Sequence, residues 1–156
     1  DKRARGERSW EFDVKEQGWR YHMSNIMAAI GSIQLKRFPE FISKRRSLAK
    51  NYELLFKEQD QIITLKNNYD DVVPHIYPVI LPKNINRDLL RSKLIELKIQ
   101  TGLHYFPNHK LSFYKKEIIL KNTNELFERI ITLPLHTDIS FQDQEFVVSQ
   151  LIKLIK

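Results

Sequence analysis

The sequence contains no cysteine, which excludes disulfide bonds, thiolate metal sites and a cysteine nucleophile. No segment approaches the ~18–20 continuous apolar residues that a membrane span requires, and the polar, basic first residues do not form a secretory signal. Only four glycines are present, too scattered for a Gly-rich phosphate loop. A His-Glu-x-x-His motif and a Gly-x-Ser-x-Gly elbow are both missing, which disfavours a zinc protease and a serine hydrolase.

The residues that are present are typical of a folded basic domain. Hydrophobic residues make up 42% of the 156 residues, enough for a core. The net charge of +7 favours anionic partners, but the basic residues are spread out, so a solvated basic surface explains the charge equally well. The lack of cysteine fits a reducing cytoplasm, which is the location we expect. Because the chain begins at Asp1 and not at Met, we expect it to be a piece of a longer protein.

Apolar spacing predicts a long bent helical arm followed by alternating strands and helices. Ser24 is a candidate N-cap, and the arm extends over roughly residues 24–58, with Pro39 able to start a second helix within it. The predicted strands are 61–65, 72–81 and 99–105, and the predicted helices after the arm are 86–97, 122–131 and one capped by Ser140. This alternation predicts an α/β fold, with a small layer behind a long helix.

The segment from Gly18 to Asn25 precedes the long helix and carries two candidate ligand-binding side chains, Arg20 and His22. An arginine fork suits a phosphate, because it offers two charge-assisted hydrogen bonds in one plane. The structural alternative is a surface arginine beside two packing aromatics, Trp19 and Tyr21.

A second candidate site, residues 104–109, follows a predicted strand, where side chains are often directed into clefts. His104 and His109 could donate to oxygens or act as an acid or base near neutral pH, although such histidines are more often ordinary loop residues. The third candidate, Leu133–His136, is predicted as a short turn between two helices. The histidines form no i, i+4 pair on a helix, so we expect no metal site.

These segments resemble, in order, the motifs of the DegT/DnrJ/StrS-type aminotransferases. Gly18–Leu35 is similar to the signature that follows the active-site lysine, and Arg45–Tyr52 to an arginine-rich helix ending in tyrosine. Gly102–His109 and Leu133–His136 match two later motifs. The resemblance runs from about residue 10 to the C-terminus, and four motifs in the right order are hard to obtain by chance. It implies a pyridoxal-phosphate (PLP) enzyme of the aspartate-aminotransferase fold, type I.

The resemblance also implies a division of the chain. Residues 1–35 would be the tail of the large PLP-binding domain and the start of the connecting helix. Residues 36–156 would be the C-terminal small domain, a long bent helix plus a small, mostly antiparallel sheet covered by helices. Ile26, Met27 and their apolar neighbours Ile30 and Ile33 would dock on the missing large domain and be exposed here.

The resemblance implies that only some of the family's functional residues have counterparts in this chain. Arg20, where most members have Asn, would bind the PLP phosphate of the neighbouring subunit, with His22 as a second cofactor residue. The residues assigned to the substrate mouth are His104, Tyr105, His109 and His136. The lysine that forms the Schiff base lies upstream, so no catalytic residue is expected in this chain and the chain alone should be inactive.

The favoured function is therefore half of a homodimeric aminotransferase in amino-sugar biosynthesis, serving surface polysaccharide or secondary metabolites. The full-length parent would transfer an amino group, with glutamate as donor, to a nucleotide-linked keto-sugar. The alternative is a small basic α/β module that binds nucleic acid or a protein partner, which the +7 charge and the basic residues 44–50 would support. Steep weakening by salt would identify nucleic-acid binding. A degenerate relative without catalysis is a third possibility.

Overall fold

The fold is given by a computed structural model of the chain, which describes residues 16–19, 21–114 and 118–156. Its elements are α1 (Asn25–Phe56), β1 (Ile63–Thr64), β2 (Tyr77–Ile80), α2 (Arg87–Glu96), α3 (Lys121–Arg129), β3 (Ile130–Leu133) and α4 (Phe141–Ile155). Two compact units divide the chain, one ending at Lys36 and the other beginning at Arg37. None of the helices in these ranges has the length and apolar character needed to cross a membrane.

Helix α1 is one continuous helix of 32 residues, which confirms the predicted arm but not a new start at Pro39. At its beginning, the Ser24 hydroxyl accepts a hydrogen bond from the Met27 backbone N–H at 3.3 Å, as expected of an N-cap. Pro39 lies inside the helix and costs about 3 kcal/mol, because it removes one backbone hydrogen bond. Tertiary packing offsets this cost: the buried residues of α1 are Leu48, Ala49, Tyr52 and Phe56.

The sheet has three antiparallel strands in the order β1-β2-β3, as the family resemblance implies. The central strand, β2, pairs Ile80 with Ile63 of β1 and Tyr77 with Leu133 of β3. Its side chains alternate between buried and half-buried positions, so one face of the sheet contributes to the core. The strands predicted at 61–65 and 72–81 are therefore present but shorter than expected.

The strand predicted over residues 99–105 is wrong. Only one bridge forms there among the described residues, between Gly102 and Thr132. The backbone N–H of Ile99 instead donates to the Leu94 carbonyl at 2.8 Å, which closes the end of α2. The Thr101 carbonyl accepts a hydrogen bond from the Arg91 side chain at 3.2 Å, in place of a backbone hydrogen bond from a neighbouring strand. Backbone groups used in these ways cannot continue a ladder.

The helix predicted through residue 131 ends at Arg129, and β3 follows directly. Ile130, Ile131 and Thr132 are β-branched and fit a strand better than a helix. Leu133–His136, predicted as a turn between helices, therefore begins inside a strand. The reason is non-local, because β3 forms through its register with β2.

One polar side chain, Gln144, lies fully buried in the core between α4 and α1. Its amide nitrogen donates to the Leu48 carbonyl at 3.0 Å, and its amide oxygen accepts from Asn51 Nδ2 at 2.9 Å. Both ends of the amide are therefore satisfied, as burial of a polar group requires. Ser140 and Asp143 form a capping box at the start of α4, which confirms the predicted cap at Ser140.

Replacing Gln144 with alanine should lower the free energy of unfolding by about 2–3 kcal/mol, because it removes both hydrogen bonds and leaves a cavity. Urea denaturation followed by circular dichroism would measure the loss. Gln150→Ala is the matched control on the same helix, since the Gln150 amide makes a single long bond of 3.5 Å within the described part of the chain. Equal effects of the two substitutions would contradict a structural role for the Gln144 amide.

Candidate functional site

A cleft of about 820 Å³ lies in the second unit, where β3, the end of α2 and the start of α4 meet. Three histidines line it: His75, His104 and His136. Thr101, Thr132 and Lys98 add two hydroxyls and a cation, while Asp138 and Asp143 add two carboxylates at the α4 side. Most of the remaining lining is apolar, and such a mixture is typical of small-molecule sites.

His104 is the most tightly held of the three histidines. It is half-buried, and its Nδ1 lies 2.9 Å from the hydroxyl oxygen of Thr132 on β3. The Tyr105 ring contacts it edge-on, with the ring centroids 4.9 Å apart. An imidazole ring that is held by a strand residue in this way keeps one orientation towards a bound ligand.

His75 and His136 are exposed residues at the rim of the cleft. The hydrogen bonds that the Ser140 hydroxyl and backbone N–H donate to the Asp143 carboxylate lower the pKa of Asp143. His136, which precedes α4, makes a smaller contribution in the same direction. Asp143 is therefore engaged as a helix cap, although it lines the cleft.

Tyr105 and His109 are not among the residues that line the cleft. The Tyr105 side chain is 68% exposed. His109 lies in a short 3-10 turn, Asn108–Lys110, where its Nε2 is 3.0 Å from the side-chain oxygen of Asn124 on α3. Of the predicted substrate residues, the structure brings only His104 and His136 into one cleft.

The two predicted cofactor residues belong to the first unit. His22 is exposed and lies just before the N-cap of α1. Arg20 lies outside the described residues. The first turn of α1 carries no acidic side chain, so the described start of this helix places no carboxylate there that would repel an anion.

Sequence reasoning missed several residues of the cleft. His75 and Thr132 are not among the candidate site residues predicted from the sequence. Lys98 adopts a positive φ of 61° at the end of α2, a conformation that costs a non-glycine residue roughly 1 kcal/mol. The Ile-Thr-Leu alternation at 131–133 was a usable signal for a strand that directs Thr132 away from its apolar neighbours.

Two arginines of α1 fasten the segment that carries His75. Arg45 Nη1 donates to the backbone carbonyls of Pro74 and His75, at 3.3 and 3.0 Å. Arg46 Nε donates to the carbonyl of Val72 at 3.2 Å. These bonds satisfy carbonyls in a segment with little regular structure, so they hold one rim of the cleft against the helix.

The remaining cations of this basic run also have partners. Lys50 Nζ lies 2.8 Å from the Asp70 carboxylate, and this hydrogen bond and charge lower the pKa of Asp70. Both side chains are exposed, so the pair adds little to stability. Lys44 lies over the Phe141 ring, 5.5 Å from its centroid. Internal contacts thus account for the charges at 44–50.

Comparison with protein families gives one match that spans almost the entire chain. The model of the DegT/DnrJ/EryC1/StrS aminotransferase family matches residues 2–152. The four motifs that resemble this family all fall inside the matched range.

Two curated relatives are similar at the level of sequence. A UDP-4-amino-4,6-dideoxy-N-acetyl-beta-L-altrosamine transaminase of Campylobacter jejuni is 29% identical over 155 residues, which cover 96% of this chain and 41% of the relative. A dTDP-4-dehydro-2,3,6-trideoxy-D-glucose 4-aminotransferase of Saccharopolyspora spinosa is 29% identical, covering 96% of this chain and 39% of the relative. The chain thus spans about 40% of the length of these relatives.

Solved structures of aminotransferases also match nearly all of this chain with about 40% of their own length. The aminotransferase TlmJ of Streptoalloteichus hindustanus superposes with a TM-score of 0.79 at 29% identity, over 93% of this chain and 40% of that one. Spr1654 of Streptococcus pneumoniae, in its PLP form, superposes with a TM-score of 0.81 at 26% identity, over 95% of this chain and 41% of that one. The fold is therefore that of the corresponding part of these aminotransferases.

Replacing Arg45 with alanine should loosen the rim of the cleft, because the carbonyls of Pro74 and His75 lose their shared donor. We expect faster amide exchange in residues 72–76 and a loss of about 1–3 kcal/mol in the free energy of unfolding. Hydrogen exchange with mass spectrometry would locate the change. The control is Lys57→Ala, an exposed cation just beyond α1; exchange at 72–76 that matches this control would contradict the tether.

Proposed function

Because the chain belongs to the DegT/DnrJ/EryC1/StrS aminotransferase family, we propose that it is the C-terminal part of a PLP-dependent aminotransferase that acts on nucleotide-linked keto-sugars. The observation that carries the proposal is the family match over residues 2–152. The names of the two curated relatives, which act on UDP- and dTDP-linked sugars, support the substrate class. The parent would be a cytoplasmic homodimer with glutamate as amino donor.

The proposed domain division agrees with the compactness of the chain. Residues 1–35 would belong to the large domain and the start of the connecting helix, and 36–156 to the small domain. The boundary between the two compact units, after Lys36, supports this division. On this proposal the chain alone has no transaminase activity, because the essential lysine is supplied by the preceding part of the protein.

The cleft supplies groups suited to the oxygens of a sugar and its diphosphate. His104 and His136 offer ring N–H donors, and Lys98 offers a positive charge at the rim. Tyr105 and His109 remain proposed substrate residues through their place in the same 104–109 segment. The role of these side chains is to bind and orient the sugar nucleotide.

Arg20 and His22 are proposed to hold the PLP phosphate of the neighbouring subunit. A guanidinium and an imidazole suit a phosphate, and the absence of an acidic side chain from the first turn of α1 is compatible with an anion nearby. When bound, PLP supplies the electron sink that amino-group transfer requires. The chain's own contribution would be to anchor that group and to complete the substrate mouth.

A nucleic-acid-binding module, the alternative from sequence, gains no support from the basic helix. Arg45, Arg46 and Lys50 hold the carbonyls and the carboxylate of the segment beside them. A phosphate backbone would have to displace these contacts. We therefore propose no nucleic-acid partner.

In the longer protein, Arg20→Ala should weaken PLP binding about 10- to 150-fold, which corresponds to the roughly 1.5–3 kcal/mol of a charge-assisted hydrogen bond. Spectrophotometric titration of the apoenzyme with PLP would measure it. Arg37→Ala is a suitable control, since Arg37 forms an exposed ion pair with Glu40 at 3.9 Å. Unchanged PLP retention in Arg20→Ala would contradict the assignment.

Gly31→Ala should have opposite effects in the two contexts. A Cβ at Gly31 meets no atom of the described residues within 4 Å, so the higher helix propensity of alanine should stabilise α1 by about 1 kcal/mol. In the longer protein the exposed apolar face of Met27, Ile30 and Ile33 is proposed to pack on the large domain, where an added methyl group should destabilise. Thermal unfolding of both forms tests this, and stabilisation in both would argue against close packing at Gly31.

A further inference from the structure

The backbone beside His104 is tied to β3 at one position. The N–H and carbonyl of Gly102 each form a 2.9 Å hydrogen bond with the carbonyl and N–H of Thr132. Just before this bridge, Arg91 of α2 donates to both the hydroxyl and the carbonyl of Thr101, at 3.3 and 3.2 Å. Thr101 and Gly102, which lie three and two residues before His104, are therefore held through hydrogen bonds to their backbone, which limits the positions that the His104 ring can adopt.

Gly102 provides the space that the His104 ring occupies. A Cβ added to Gly102 would lie 2.6 Å from His104 Cε1 and 3.1 Å from Nδ1. The distance to Cε1 is shorter than real Cβ contacts allow, and the rigid ring can relieve it only by rotating as a whole. Any residue larger than glycine would therefore displace the imidazole from the position in which it bonds Thr132.

The Thr132 hydroxyl determines how the ring is oriented. Thr132 is 5% exposed, and His104 Nδ1, at 2.9 Å, is the hydrogen-bond partner found for its hydroxyl within the described residues. A buried hydroxyl proton without an acceptor is costly. The favourable arrangement has the hydroxyl donating to an unprotonated Nδ1, which leaves the proton of the neutral ring on Nε2.

We propose that Gly102 and Thr132 are positioning residues that fix His104 in the Nε2–H tautomer, so that the cleft presents a directed N–H donor to an oxygen of the bound sugar nucleotide. The substrate part of this inference rests on the proposed function, whereas the tautomer and the ring position do not. Thr132 and Gly102 act through His104 and need not touch the ligand. The ligand atom that fits is an acceptor on the nucleoside diphosphate part of the ligand, such as a diphosphate oxygen.

Long-range proton–nitrogen correlation spectra of the isolated chain test the tautomer directly, since the two ring nitrogens have different shifts when protonated and unprotonated. The wild type and Thr132→Ser should show His104 as the Nε2–H form. Thr132→Val, which keeps the shape but removes the hydroxyl, should give a mixture of tautomers. An Nδ1–H form in the wild type, or a tautomer unchanged in Thr132→Val, would overturn the proposal.

Gly102→Ala is a second variant, which tests the positioning of His104 if Thr132→Val does not fold. Its φ lies outside the left-handed region, so alanine fits the backbone, and the clash falls on the ring alone. We expect the His104 ring shifts to move towards those of an unstructured histidine, whereas Gly31→Ala, whose Cβ would contact none of the described residues, should leave them unchanged. Ring shifts of Gly102→Ala that coincide with the wild type would count against the positioning role.

Binding to the longer protein separates this inference from the proposed function. UDP and dTDP are the probes, measured by calorimetry, and Thr132→Val should weaken binding of the preferred probe about tenfold, as expected for one lost hydrogen bond, with recovery in Thr132→Ser. If neither probe binds the wild type, the proposed function fails, while the spectra still decide the tautomer. If the probe binds Thr132→Val as tightly as the wild type, the ligand role of His104 is wrong.

Discussion

The hydrogen bond from the Tyr52 hydroxyl to the Pro134 carbonyl, 2.9 Å long, joins helix α1 to the end of the strand from which the cleft is built. Tyr52 is fully buried, and its ring stacks on Tyr77 of β2 with centroids 4.7 Å apart. Burial raises the pKa of the Tyr52 hydroxyl well above its usual value, so the group remains a neutral donor in ordinary conditions. One side chain thus fixes the spacing between the helix, the central strand and the segment that leads to His136. Because Thr132 lies two residues before Pro134, the same hydrogen bond also helps to position Thr132.

The next residue of α1 anchors the other end of the sheet. The Glu53 carboxylate accepts hydrogen bonds from the hydroxyls of Tyr77, Tyr69 and Thr64, at 2.9, 3.2 and 3.2 Å. Burial, followed by smaller effects that include the charge of Glu53, raises the pKa of Tyr69 to about 12. Consecutive residues of one helix therefore hold the sheet centre and the β1 edge. The helix that resembles a family motif in sequence is the element that organises the second unit.

Local signals in the sequence predicted the helices well and the strands poorly. The caps at Ser24, Asn86 and Ser140 are formed by side chains within three residues of the groups they bind, so the sequence contains the complete interaction. Strand β3 depends on a partner about 50 residues earlier in the chain, and nothing in residues 130–133 alone specifies that register. The candidate site shows the same difference between local and non-local information. His104 and His136 were identified from local motifs, but their meeting with His75 and Thr132 in one cleft is a tertiary property.

The same distinction applies to the residues of the cleft, because their positions depend on contacts between residues that are distant in sequence. The described residues that line the cleft all belong to the unit that begins at Arg37, and that unit contains the buried amide of Gln144, the Tyr52 hydroxyl and the Arg45 tether. Its geometry is therefore determined by contacts within the chain. His22 belongs to the other unit, where it is an exposed residue before the first turn of α1. On the proposed function, recognition of the substrate by the residues of the cleft would therefore depend on the core of the unit that begins at Arg37.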